Sequence, residues 1–305
     1  MPPARPDTRP SPIAPGPRHL AAYVVLSLIW GLSFLFTLRV SNTTGMVGAV
    51  SFRALIACAT VVLVAALSGR RLVLRGHGRA FLIVGATTVV GQLAPLSLAT
   101  REIGTAMSAI LVGTIPIFSL LLGHVGGHER ITAGRAGGVL LSLAGLALLV
   151  GFPAVTLTPR FLGGCLLAVF GSFCAAFGSH YAVVRLRGLD PLSIAAGTFL
   201  AGGLLGLPLW LLEPIRAWPG TTDVLNLLVL GCVIGALAYV IYFWLLGAIG
   251  TTRAISVEFV VNVNGALIGV LFLGERLSLV QCVGAVTVLA GCAMVLELCR
   301  ALSTR

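Results

Sequence analysis

Apolar residues are gathered in this chain into ten long runs, about 20–38, 47–67, 80–99, 103–123, 135–152, 161–184, 191–212, 224–246, 252–273 and 279–298. A helix that crosses a bilayer needs about 20 apolar residues, and each run is near that length. None alternates apolar and polar residues as a barrel strand would. Only 10% of the 305 residues are charged, whereas a soluble domain carries about a quarter. That deficit excludes a soluble enzyme, a disordered chain and a disulfide-stapled secreted fold. The reading is an all-α membrane protein with ten transmembrane helices.

Charge then orients the chain. The net charge of +11 comes from 20 arginines, with no lysine, against nine acids. With the N-terminus in the cytoplasm, the inside segments carry fourteen arginines, among them Arg70, Arg71, Arg135 and Arg253, and the outside loops five. That bias predicts both termini in the cytoplasm of a multi-pass inner-membrane protein. Residues 1–19, rich in proline and with three arginines, read as a flexible cytoplasmic tail. The seven cysteines form no CxxC pair and sit in or beside apolar runs, as buried, reduced side chains do.

Sliding the chain against itself by 146 residues reveals a repeat: Gly85 meets Gly231, Ile103-Gly104-Thr105 meets Ile249-Gly250-Thr251, and Glu129-Arg130 meets Glu275-Arg276. Gly138 and Gly145 likewise meet Gly284 and Gly291. Residues 20–152 and 161–298 form the two copies. Five spans per copy is an odd number, so the second copy lies inverted in the membrane. Inverted repeats point to a carrier whose substrate site lies near mid-membrane between the halves.

The tract from Thr105-Ala106-Met107-Ser108-Ala109 to Pro116, followed by Glu129-Arg130 and a glycine-rich helix, resembles the EamA domain of the drug/metabolite transporter superfamily. Leu273-Gly274-Glu275-Arg276-Leu277-Ser278 repeats the signature in the second copy, and Trp30-Gly31 also fits. The resemblance implies a transporter of two inverted five-helix repeats in the cytoplasmic membrane, typically exporting amino acids or related metabolites. One departure is that the proline of the fourth helix, present as Pro116, is replaced by Asn262 in the second copy. The family's helix break at that point thus loses its proline in the second copy.

Glu258, about six residues into the ninth run, is the sharpest candidate for chemistry, because a carboxylate inside a bilayer marks a pathway unless it snorkels or caps a neighbour. Asn262 follows one helical turn later, and Gly265 and Gly269 continue that face. His180 and Tyr239 lie at similar depth and would join Glu258 in a vestibule; Tyr242 and Tyr181 read as an interfacial aromatic belt. Trp30 and Ser33 in the first run, with Gln92 and Pro95 in the third, fall near mid-membrane. The expected substrate site is therefore Trp30, Ser33, Gln92, His180, Tyr239, Glu258 and Asn262, with Glu258 and His180 as proton-coupling candidates. Arg53 reads as snorkelling outward rather than pairing with Glu258. Glu129 and Glu275 read as turn and cap residues.

These features describe a secondary transporter working by alternating access. A passive channel and an intramembrane lipid-modifying enzyme are the rivals, and no DxxD cluster supports the latter. No cofactor or metal is expected and no catalytic residue. The expected partners are a small-molecule substrate and the bilayer, with no nucleic acid and a monomeric or homodimeric state.

Overall fold

The structure is a computed structural model that describes residues 15–127, 129, 131–151, 158–211, 220–273 and 278–297. The first half holds α1 (Pro17–Thr44), α2 (Met46–Leu67), α3 (Gly78–Gly85), α4 (Gln92–Val112), α5 (Ile115–Val125) and α6 (Ala133–Val150). The second holds α7 (Pro159–Arg185), α8 (Pro191–Trp210), α9 (Thr221–Val229), α10 (Ala238–Ile249), α11 (Thr251–Ile255), α12 (Val257–Leu273) and α13 (Leu279–Val295). Among the described residues there is no strand, and seven helical stretches are long and apolar enough to cross a membrane.

Local chemistry sets the boundaries. Proline at the first helical turn starts α1, α7 and α8, where its missing N–H costs nothing. Thr132, Thr158, Asp190 and Ser278 each accept a hydrogen bond from a backbone N–H of the helix they open. The first helix, α1, begins at Pro17, and residues 1–14 of the expected tail, like Cys299, lie outside the described set.

The repeat is visible in the backbone. Gly104 breaks α4 with φ of 77° and Gly250 ends α10 with φ of 91°, and the two positions are equivalent under the 146-residue offset. A side chain would be strained at either. A π-helical segment, Ala86–Gly91, joins α3 to α4, and another, Leu230–Leu237, joins α9 to α10 at the matching place. The copies differ where proline was lost. In the first, a turn at Gly113-Thr114 precedes Pro116 and α5. In the second, α12 runs unbroken through Asn262, and the break falls earlier, at Ser256.

The two halves meet most closely along α6 and α13. A Cβ on Gly138 would stand 2.7 Å from the Gly291 carbonyl oxygen, and one on Gly145 2.9 Å from that of Gly284. Gly284 and Gly291 face Gly145 and Gly138 in return. Each residue thus contacts the copy of its neighbour, as across a twofold axis between antiparallel helices. Ser142 sits at the crossing and bonds the carbonyl of its own repeat equivalent, Val288, at 3.3 Å. Small residues permit this approach, and in a lipid setting close packing of this kind is what holds helices together.

Elsewhere α8 crosses α2 and the first π-helical segment through glycines: Gly203 lies against Leu55, Gly206 against Ser51 and Gly202 against Val89. Arg253, counted above with the loop arginines, is instead a buried residue of α11, its side chain 5% exposed.

Candidate functional site

The two π-helical segments deliver side chains to the centre. In the first, Thr87 and Thr88 hydroxyls bond the Ile83 and Val84 carbonyls, both at 2.7 Å, satisfying acceptors that the wider turn releases. Gln92 follows at once, and Pro95, with no N–H, leaves the Gly91 carbonyl without its usual helical donor. Gly171 of α7 lies against the Gln92 backbone. The second segment is followed directly by Ala238 and Tyr239. Wide turns of this type recur at functional sites.

Tyr239 belongs to an aromatic cluster. Its ring lies 4.9 Å from Phe199, 5.4 Å from Trp30 and 5.9 Å from Tyr242. Trp30 and Tyr242 are 5.2 Å apart. Tyr242 is not a belt residue: it is buried, and its hydroxyl is 2.9 Å from that of Ser179 on α7. Tyr181 is separate, stacked on Phe177. Ser33, one turn from Trp30, donates to the Trp30 carbonyl at 2.6 Å.

Arg53 does not snorkel. It is half-buried, its guanidinium is an electrostatic neighbour of Tyr239, and its backbone carbonyl packs on Gly231 and Gly235 of the second π-helical segment. Tyr239 is an electrostatic neighbour of Glu258 as well as of Arg53. Glu258 also neighbours Tyr242 and Tyr23. Among the described residues no salt bridge ties Glu258 to Arg53 or to any other cation. On the same helix Asn262 donates to the Glu258 carbonyl at 2.8 Å, and Asn264 donates to Ser27 of α1 at 2.9 Å. Ser33, Arg53, Gln92, Glu258 and Asn262 are all half-buried, while Trp30, Tyr239 and Tyr242 beside them are buried.

A second set of contacts links the two halves around Ser119, Thr252 and Ser256. The Tyr23 hydroxyl lies 3.0 Å from that of Ser256. His180 is buried, and its Nε2 donates to the Ser119 carbonyl at 2.8 Å; the Ser119 hydroxyl is 3.2 Å from that of Thr252. His180 is thus tied to α5 through Ser119. Glu129 accepts from the Thr252 N–H at 3.1 Å. It caps a helix, as its position at a turn implies, but the helix belongs to the other half. Glu275 lies outside the described residues. Arg135 bridges to Glu297 at 2.9 Å and to Glu129 at 3.7 Å, and Arg253 bridges to Glu297 at 2.9 Å. Burial pushes the Glu297 carboxyl up, but Arg253 and Arg135 together hold it below its ordinary value.

Sequence reasoning missed Tyr23, Ser256, Asn264 and this charge bridge. Asn264 was findable, since an amide two residues from Asn262 lies in the same apolar run. The bridge was not, because Arg135, Arg253 and Glu297 are far apart in sequence. A cleft of about 710 Å³ also opens at this end between α7, α8 and α10, lined by Glu129, Arg187, Phe243 and Trp244 among others; none of the expected ligands lines it.

Fold and site together define a multi-pass helical membrane protein built from two related halves, with polar and charged groups between them. The EamA-like transporter family model matches residues 19–151 and 162–297, and the chain belongs to that family. It is 21% identical over 217 residues to an uncharacterized transporter, YoaV, of Bacillus subtilis, spanning 70% of this chain and 74% of that one. It is 28% identical over 282 residues to a WAT1-related chloroplastic protein of Arabidopsis thaliana, spanning 85% of this chain and 65% of that one. A crystal structure at 19% identity shares the fold, with a TM-score of 0.80 over 93% of this chain and 98% of the other.

Proposed function

We propose that this protein is a secondary transporter of the cytoplasmic membrane that exports amino acids or related small metabolites by alternating access. In this reading it has ten spans in two inverted five-helix repeats, 20–152 and 161–298, with both termini in the cytoplasm, as the arginine bias predicts. It works as a monomer or homodimer. The substrate lies among Trp30, Ser33, Gln92, Tyr239, Glu258 and Asn262.

The observation that carries the reading is a contrast between two levels of the same interior. Five polar or charged side chains of the apolar runs, Ser33, Arg53, Gln92, Glu258 and Asn262, stay half-buried. One end beneath them is closed by hydrogen bonds and ion pairs that join one repeat to the other. A carrier needs both: a polar site at the repeat interface and a gate that opens when the repeats rock. Membership of a transporter family and the name of the Bacillus relative support the same reading. Protons couple through Glu258, which no cation pairs among the described residues, with His180, held by Ser119, as the second candidate.

Counterflow tests it. Purified protein in vesicles preloaded with a panel of unlabelled amino acids should draw in the labelled counterpart of at least one of them. Flux without trans-stimulation would make the protein a channel, and no flux with any member would refute the substrate class.

A further inference from the structure

The cleft of about 710 Å³ between α7, α8 and α10 contains none of the residues assigned to the substrate. Its lining comes from the last turn of α7, the first turn of α8 and the last turns of α10, so it sits where helices end. Val184 and Trp244, both part of that lining, are exposed apolar side chains, so the cleft opens onto apolar surface. An indole at the end of a span lies at the level of lipid headgroups. Position 247 in the lining is glycine, and a Cβ there would meet nothing within 4 Å.

One group of each charge lines the cleft. Glu129 belongs to its floor: the side chain is 5% exposed, and Oε1 accepts from the Thr252 N–H at 3.1 Å, next to the lining residues Gly250 and Thr251. Its Oε2 stands 3.7 Å from Arg135, beyond hydrogen-bond reach, and keeps acceptor capacity to spare. Arg187 is exposed at the mouth, on a turn that Gly188 makes with φ of 84° and that the Leu189 N–H closes on the Leu186 carbonyl at 3.2 Å. Among the described residues no acid pairs with Arg187.

We propose that this cleft binds a zwitterionic phospholipid with a primary amine, a phosphatidylethanolamine. Its ammonium donates to Glu129, its phosphate takes Arg187, and its acyl chains leave over Val184 and Trp244. The order of acid at the floor, arginine at the mouth and apolar rim matches the order of amine, phosphate and chains in such a lipid. One acid and one arginine cancel, which favours a ligand of no net charge over an anionic one. The cleft has the volume of a site for a drug-sized ligand, and a free amino acid would leave much of it empty. The site goes beyond the transporter reading and stands whether the protein is a carrier or a channel.

The test is native mass spectrometry of the full chain in non-ionic detergent with four lipids of identical chains: phosphatidylethanolamine, its N-acetyl derivative, phosphatidylcholine and phosphatidylglycerol. The first ethanolamine lipid should bind roughly 10-fold more tightly than any of the others, the worth of one hydrogen bond to a charged group. Gly247→Phe, which fills the cleft, should abolish that preference, and Glu129→Gln should level the ethanolamine and choline lipids. An ethanolamine lipid with a diazirine on its acyl chain should label the α7–α8 turn and the last turns of α10. Equal binding of the four lipids by the wild type, which needs no variant, overturns the proposal. So does a preference unchanged in Gly247→Phe, or labelling confined to other helices. Displacement of the lipid by free O-phosphoethanolamine at the same concentration would make the occupant a soluble zwitterion and overturn the lipid assignment.

Discussion

Gly284→Ala is the sharpest test of how the two halves are joined. The new methyl would enter the α6–α13 seam, 2.8 Å from the Gly145 oxygen, 2.9 Å from the Leu148 carbonyl carbon and in collision with the Leu149 nitrogen. All three are backbone atoms of one helix, so no rotamer change relieves them. Contacts of about 3.5 Å return only if the helices part by roughly 0.5–1 Å. Overpacking of this kind costs about 1–3 kcal/mol, while alanine regains about 0.5–1 kcal/mol over glycine inside a helix. The net expectation is a loss of about 1–2 kcal/mol. Gly163→Ala in α7 is the control, because nothing lies within 4 Å of its added Cβ; it should leave stability unchanged or raise it by up to about 1 kcal/mol. Unfolding in mixed micelles of rising SDS fraction reads both. Gly284→Ala as stable as wild type, or Gly163→Ala equally damaged, would refute the packing argument.

Three further outcomes are expected. Glu258→Gln should abolish flux driven by a pH gradient yet leave exchange intact; unchanged gradient-driven flux in a normally expressed variant would remove Glu258 from coupling. Asn262→Leu should weaken substrate affinity in counterflow by roughly 5- to 30-fold, the loss of a hydrogen bond worth about 1–2 kcal/mol, with membrane insertion unchanged. Because Glu297 has a lowered carboxyl pKa, its grip on Arg135 and Arg253 is complete above roughly pH 4.3 and fades as pH falls through the folded-state value. Amide exchange across Thr251–Ile255 should therefore quicken in acid, and Glu297→Gln should show the fast rate at pH 7; equal rates in variant and wild type would deny the bridge a role.

The helical class and the pairing of halves are legible in the sequence because apolar run length and a gapless glycine register survive in one dimension. The matched kinks at Gly104 and Gly250 are legible for the same reason. The π-helical turns are not: they arise from threonine hydroxyls and close-packed glycines that look like ordinary helix residues. Depth along a span puts Glu258 and Asn262 one turn apart on a helix face, and the Asn262 amide bonds the Glu258 carbonyl there. Depth gives no azimuth, so the sequence does not reveal that Ser119 holds His180 or that Ser179 meets Tyr242. The setting of Arg53 was hidden for a similar reason, as the Gly231 and Gly235 that its backbone packs on lie nearly two hundred residues away.

The central claim is that one interior site is offered to the two sides of the membrane in turn. In a cysteine-free background, Cys at position 262 in sealed, oriented vesicles can be challenged with an impermeant thiol reagent from either side. The account predicts labelling from the side opposite the Arg135–Glu297 bridge in the resting protein, and faster labelling from the bridge side once Glu297→Gln loosens that end. Substrate should slow both, and Cys at Val261, which is buried, should stay unlabelled throughout. Labelling from one side only, whatever the state of the bridge, would contradict alternating access.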